Sequence, residues 1–148
     1  MKARISKFLD LTRGNWAVFF SSILLLPSVS ISLSTLGYKR TKALLMRFTY
    51  VDAPHPRTKV SDFEKAKTIA QLVGIVARYN LFNTSCLRRS LVTWYLLERR
   101  SITSRLVIGV NKHDGEFCAH AWLTVNGITL AENDDSISMY KIIDEIPS

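Results

Sequence analysis

The chain has 148 residues, 47% of them hydrophobic, and a formal net charge of +8. This is room for one domain with its own core, and too apolar for a disordered chain. Two cysteines, Cys86 and Cys118, exclude a disulfide framework and point to a reducing compartment, the cytoplasm. The excess of base suits an acidic peptide, nucleic acid or an anionic membrane, or is simply a basic soluble surface.

Residues 1–12 carry a short helical pattern, with Ile5, Phe8 and Leu9 on one side. No charged residue occurs from 14 to 38, and Lys2, Arg4, Lys7 and Arg13 precede that stretch. Its length fits a membrane span and its basic start fits a signal peptide. Pro27 and the serines 21, 22, 28, 30, 32 and 34 interrupt it, leaving only 23–26 unbroken. It is therefore read as two short buried helices, the first (16–26) ended or kinked by Pro27. Membrane association stays open but is not favoured. Residues 28–35 are ambiguous, β-branched and serine-rich but also readable as a loop. Over 35–50 the pattern is helical, with Leu44, Leu45 and Phe48 inward and Lys39, Arg40, Lys42 and Arg47 outward.

Pro54 and Pro56 make 52–57 an extended connection, with His55 as an exposed linker residue. It separates an N-terminal helical, apolar region (1–58) from a catalytic core (59–148), the two forming one compact unit. Ser61 and Glu64 fit a capping box. The helix they open runs to about Tyr79, burying Phe63, Ala66, Ala70, Val73 and Ala77, with Ile69, Leu72 and Val76 widening the face.

Thr84 or Ser85 caps the next helix and puts Cys86 in its first turn. Leu87, Leu91, Trp94 and Tyr95 line one side of it, and Arg99 and Arg100 meet its negative end. Leu106, Val107, Ile108 and Val110 predict a strand, followed by a polar turn over 111–116. In 117–125, Phe117, Ala119, Ala121, Leu123 and Val125 alternate with Cys118, His120, Trp122 and Thr124. Asn126 and Gly127 signal a hairpin, and a strand returns from Ile128 to about Glu132.

A cysteine opening an amphipathic helix, followed by a histidine in a strand, is what a thiol nucleophile needs. The thiolate is the attacking species, and a helix N-terminus favours negative charge. An imidazole takes the proton, and a third group orients the imidazole. Cys86 and His120 are read as this pair. The Cys86 amide supplies one oxyanion donor, and Asn83 or Asn80 a second. Arg88 and Arg89 flank the nucleophile, to bind an acidic peptide or a backbone carbonyl, or to form a solvated helix face. Trp122 shields one side of the imidazole. The bland readings are an inert buried thiol and a satisfied core histidine. A zinc site from Cys86, Cys118, His120 and His113 lacks paired-ligand spacing, so no metal or cofactor is expected. Basic residues are spread along the chain without aromatic interleaving, so nucleic acid is not an expected partner.

The motif Cys-Leu-x-Arg-Ser-Leu (86–91), the segment Leu-Val-Ile-Gly-Val (106–110) and Ala-His-Ala-Trp (119–122) before Asn-Gly resemble the leader peptidases of lasso peptide biosynthesis. These enzymes lie in the transglutaminase-like superfamily of papain-type cysteine enzymes. The likeness covers roughly residues 60–135; the N-terminal third shares only its helical, apolar character. It implies an α+β fold in which N-terminal helices precede a nucleophile-bearing helix packed on a small antiparallel sheet. It also implies a Cys-His-acid protease that removes the leader of a ribosomally made precursor. Its partners would be the precursor peptide, a small leader-recognition protein and an ATP-dependent lasso cyclase. A transglutaminase-like acyltransferase or deamidase would use the same pair, and a basic non-enzymatic binding protein is the alternative outside enzymes.

The chain departs from the family pattern twice. The helix there ends Arg-Gly-Ile-Pro; here Arg100, Ser101, Ile102 and Thr103 stand without the glycine of an easy left-handed cap. The family has Asp twelve residues after the histidine, where this chain has Glu132 beside Asn133, Asp134 and Asp135. Hairpin register ranks these candidates, since one step flips every side chain. A bulged three-residue loop pairs Thr124 with Ile128 and sets Glu132 across from His120; this is the favoured set. A two-residue turn pairs Val125 with Ile128 and sets Asn133 there instead. Asp134 serves if the strand bends.

Overall fold

The computed structural model describes residues 13–49, 60–79, 85–113, 115–130 and 137–146. The helical pattern read in 1–12 and the connection carrying His55 lie outside them.

Helix α1 (Arg13–Thr49) is two helical segments joined at a kink, and its first segment runs through Pro27 without ending where two short buried helices were expected. Within the serine-rich helical stretch the hydroxyls find acceptors one turn back. Ser28 donates to the Leu24 carbonyl at 2.7 Å, Ser34 to Ser30 at 2.9 Å and Thr35 to Ile31 at 2.8 Å. The break comes at Gly37, at φ 76° and ψ 173°, a region that only glycine occupies readily. Only one side of the first segment is buried, by Val18, Ser22, Leu26, Val29 and Ser30. Past Gly37 the buried residues are Thr41 and Leu45, whereas Leu44 and Phe48 face solvent rather than the core. Thr41 is satisfied there, its hydroxyl bonded to the Gly37 carbonyl at 2.9 Å and lying 2.8 Å from that of Ser32.

Helix α2 (Val60–Tyr79) buries Ala66, Ile69, Leu72, Val73, Val76 and Ala77, the face its periodicity predicts. It starts earlier than a Ser61 cap would have it, and the Ser61 side chain is outside the description. Helix α3 (Cys86–Glu98) buries Leu91, Val92, Trp94, Leu96 and Leu97. Its C-terminus is closed by Ser101, at φ 55°. The Ile102 amide bonds the Leu97 carbonyl at 3.1 Å and the Ser101 amide bonds Glu98 at 2.9 Å. These are the two bonds of a Schellman cap, made here without its usual glycine. The Arg100 guanidinium also bonds the Leu96 carbonyl at 3.1 Å.

Four antiparallel strands follow: β1 (Arg105–His113), β2 (Glu116–Val125), β3 (Ile128–Thr129) and β4 (Lys141–Ile146), in the order β3-β2-β1-β4. β1 and β2 extend further into the polar turn than expected, pairing out to His113 and Glu116. β4 was not anticipated: its short Ile-rich run follows no readable alternation. The hairpin is also corrected. Val125 pairs with Ile128 and Thr124 with Thr129, so the turn has two residues, Asn126 and Gly127, both at positive φ. It is not the bulged loop.

Leu106, Leu123 and Ile146 align across the sheet and join Val125, Leu26, Val29, Val73, Leu91 and Leu97 in one core. The helices thus cover one sheet face, and α1 belongs to the same packed unit as the rest. A polar clamp fixes α1 to β4. Tyr38, directly after the kink, donates to the Asp144 carboxylate at 2.6 Å, and Lys42 reaches it at 3.0 Å. The Tyr38 hydrogen bond is the largest influence holding the Asp144 carboxyl below its ordinary pKa; burial opposes it, and Lys42 and the Glu145 amide assist. Burial first, then Asp144, holds the Tyr38 phenol above its usual range.

Two stability tests follow from these contacts. Ser101→Gly relieves a left-handed residue and should stabilise the fold by about 1 kcal/mol in urea denaturation. Asp144 is depressed in the folded state, so its contribution is present above the unfolded pKa and is lost as pH falls through the folded one. Asp144→Asn should cost about 1 kcal/mol at neutral pH, its side chain being one-third exposed. Chemical denaturation across pH should show that gap closing on acidification.

Candidate active site

Cys86 is the first residue of α3 and is half-buried, with a free thiol. Ser85 is the N-cap by backbone: it is extended (φ −65°, ψ 162°), and its carbonyl accepts the Arg89 amide at 3.2 Å. Its hydroxyl makes no capping bond, so it does not occupy the first amides of the helix. The aligned peptide dipoles favour negative charge at this end of the helix.

His120 lies on β2, half-buried, paired across the sheet with Gly109 of β1. Strand alternation gives it the same face as Cys118, Trp122 and Thr124, as the sequence predicts. Cys118 is exposed near the outer end of the strand. Leu123 and Val125 take the other face, toward the helical core, and Ala121 is buried.

The imidazole sits in an aromatic setting. Its centroid is 6.0 Å from Trp122, with the rings near parallel at 21°, and 5.5 Å from Tyr140. Trp122 and Tyr140 are themselves 6.2 Å apart. Gly109 lies beneath them: a β-carbon there would meet the Trp122 ring at 2.8 Å and the Tyr140 β-carbon at 2.8 Å. The expected shielding of the histidine by Trp122 is therefore observed, with Tyr140 as a second wall. Tyr140 was missed, and no periodic pattern marks it. Gly109 did carry a signal, because glycine inside a strand often marks a close approach.

The helix opened by Cys86 and the strand bearing His120 are joined directly. The Ser90 hydroxyl donates to the Ala121 carbonyl at 3.0 Å. Ser90 is four residues after Cys86, hence one turn along the same helix face, and Ala121 directly follows His120. One side-chain bond therefore sets the height of the Cys86 turn against the strand that carries the imidazole. Ser90 lies within the 86–91 motif, yet nothing in the sequence gave it this part.

A hollow of about 110 Å³ opens beside that bond, lined by Arg89, Ser90 and Thr93 of α3, Trp122 and Leu123 of β2, and Gly74 of α2. Arg89 thus borders a cavity and is not simply on a solvated face. Arg88 is half-buried.

The remaining candidates lie outside the described residues: the oxyanion candidates Asn80 and Asn83, and Glu132, Asn133 and Asp134 for the third member. The two-residue turn removes the register argument that favoured Glu132. Leu130 keeps the observed register, its amide bonding the Leu123 carbonyl at 2.8 Å. No group of three or more metal-ligating side chains occurs among the described residues.

Gly109→Ala should force Tyr140 and Trp122 apart, since a backbone-proximal atom cannot simply swing away. The expected cost is about 1–3 kcal/mol, read by urea denaturation, with a change in the near-UV circular dichroism of the aromatic cluster.

Comparison with known families matches residues 32–144 to the transglutaminase-like superfamily model. No curated protein and no solved structure matches the chain. The matched span takes in the second half of α1, both later helices and most of the sheet. The helix opened by Cys86, the antiparallel sheet bearing His120 and this match lead to one assignment: the chain belongs to the transglutaminase-like superfamily.

Proposed function

We propose that the protein is a cysteine peptidase that removes the leader from a lasso-type precursor peptide. The observation that carries this reading is the Ser90–Ala121 bond, which couples a cysteine-first helix to a histidine-bearing strand. The superfamily includes cysteine proteases and acyltransferases, and the motif spanning 86–91 and 119–122 favours the protease.

The Cys86 thiolate attacks the scissile carbonyl, with the proton held on His120. The tetrahedral oxyanion is met by the Cys86 amide, with Asn83 as the proposed second donor. The carbon–nitrogen bond breaks, His120 gives its proton to the leaving amine, and a thioester remains on Cys86. Water, deprotonated by His120, then hydrolyses the thioester and regenerates the thiol. Trp122 and Tyr140 restrict the imidazole to few orientations, and Glu132, Asn133 or Asp134 completes the set. Arg89 and the adjoining hollow receive a substrate side chain or carbonyl next to the cleavage point. The setting is cytoplasmic, with a small leader-recognition protein presenting the precursor and an ATP-dependent cyclase closing the ring.

Incubation with a leader–core precursor and a leader-binding protein, followed by mass spectrometry, tests this. Free leader and core whose masses sum to the precursor plus one water are expected. A new amide, or loss of ammonia, would instead establish acyl transfer or deamidation. Cys86→Ala and His120→Ala should each lower cleavage by at least about a thousandfold with an unchanged melting curve. Undiminished cleavage in either variant overturns the assignment.

A further inference from the structure

We propose that the outer side of the 13–36 segment of α1 is a membrane-binding face that seats the protein in the plane of an anionic bilayer. At 100° per residue, Val18, Ser22, Leu26 and Val29 fall on one side of this segment and are buried in the core. The opposite side carries Trp16, Phe20, Ile23, Leu24 and Ile31, exposed by 45%, 58%, 41%, 71% and 54%. This is a continuous apolar stripe about 22 Å long at 1.5 Å per residue, and large exposed stripes on a folded domain mark an interaction surface.

Three observations select lipid as the occupant. First, the polar residues on that side carry their own acceptors: Ser28, Ser34 and Thr35 bond carbonyls one turn back, so they enter an apolar medium without an unmet hydroxyl. Second, charge is absent from 14 to 38 and basic on both flanks, with Lys2, Arg4, Lys7 and Arg13 before and Lys39 and Arg40 after. That is the complement of anionic headgroups. Third, Trp16, Phe19 and Phe20 cluster at the Arg13 end, with centroids 5.7–5.9 Å apart, the aromatic grouping that settles at headgroup level. The helix is long and apolar enough to span, but spanning would strip Val18, Leu26 and Val29 from the core. Lying in the plane keeps them packed and still buries the outer stripe.

Flotation of the full-length protein with phosphatidylcholine vesicles, with and without phosphatidylglycerol, is the test. Binding to the anionic vesicles, weakened by salt and released by alkaline carbonate, is expected. Phe20→Glu with Leu24→Glu should reduce binding roughly tenfold or more, with unchanged thermal melting. If the paired glutamates lower melting, Phe20→Gln with Leu24→Gln takes their place. Cys86→Ala should float like the parent, so failure of the peptidase reading leaves this result standing. Resistance to carbonate would mean a span, and undiminished binding by the substituted protein would mean another surface. Absence of flotation, with self-association that these substitutions abolish, would mean a protein interface. Any of the three overturns the proposal.

Discussion

The hydrogen bond from the Ser90 hydroxyl to the Ala121 carbonyl is the contact on which the site depends. Apolar packing brings α3 against the sheet but is tolerant of sliding, because leucines accept many registers. A directed bond at 3.0 Å does not slide. It selects one setting of the first helical turn relative to one residue of β2, and that residue is next to the histidine. A neutral bond of this kind contributes only about 1 kcal/mol to folding. Its larger effect is geometric, since it holds helix and strand in one register.

Around that contact the two walls of the imidazole are supported from below. Gly109 has no side chain, so Trp122 and Tyr140 come down onto β1. The pairing of β1 with β4 shifts between Ile108 and Gly109, and such an irregularity re-aims neighbouring side chains. The glycine, the irregular pairing and the tyrosine before β4 therefore form one local device. It leaves His120 half-buried between rings.

Legibility followed the strength of each physical signal. The α2 face and the alternation in β2 were readable because burial there is periodic. Cys86 was readable as a helix start because Ser85 precedes it, and His120 because the strand around it is unambiguous. Pro27 misled, since a proline breaks a helix only where nothing else supports the turn. The packing of Leu26 and Val29 supplies that support. The favoured hairpin loop was wrong by one residue because Asn-Gly suits two turn geometries, and only cross-strand pairing separates them. β4, Tyr140 and the Tyr38–Asp144 contact escaped notice because each depends on partners about twenty to a hundred residues away.

The Tyr38–Asp144 link joins residues 106 apart in the chain. During synthesis, at about 5–20 residues per second, the first apolar helix therefore leaves the ribosome on the order of ten seconds before its carboxylate partner exists. Over that interval even the side destined for the interior is uncovered. The nascent chain thus offers an uncharged 25-residue stretch to chaperones and targeting factors before Cys86 and His120 have been translated, and its first encounter is decided by timing rather than by the finished shape.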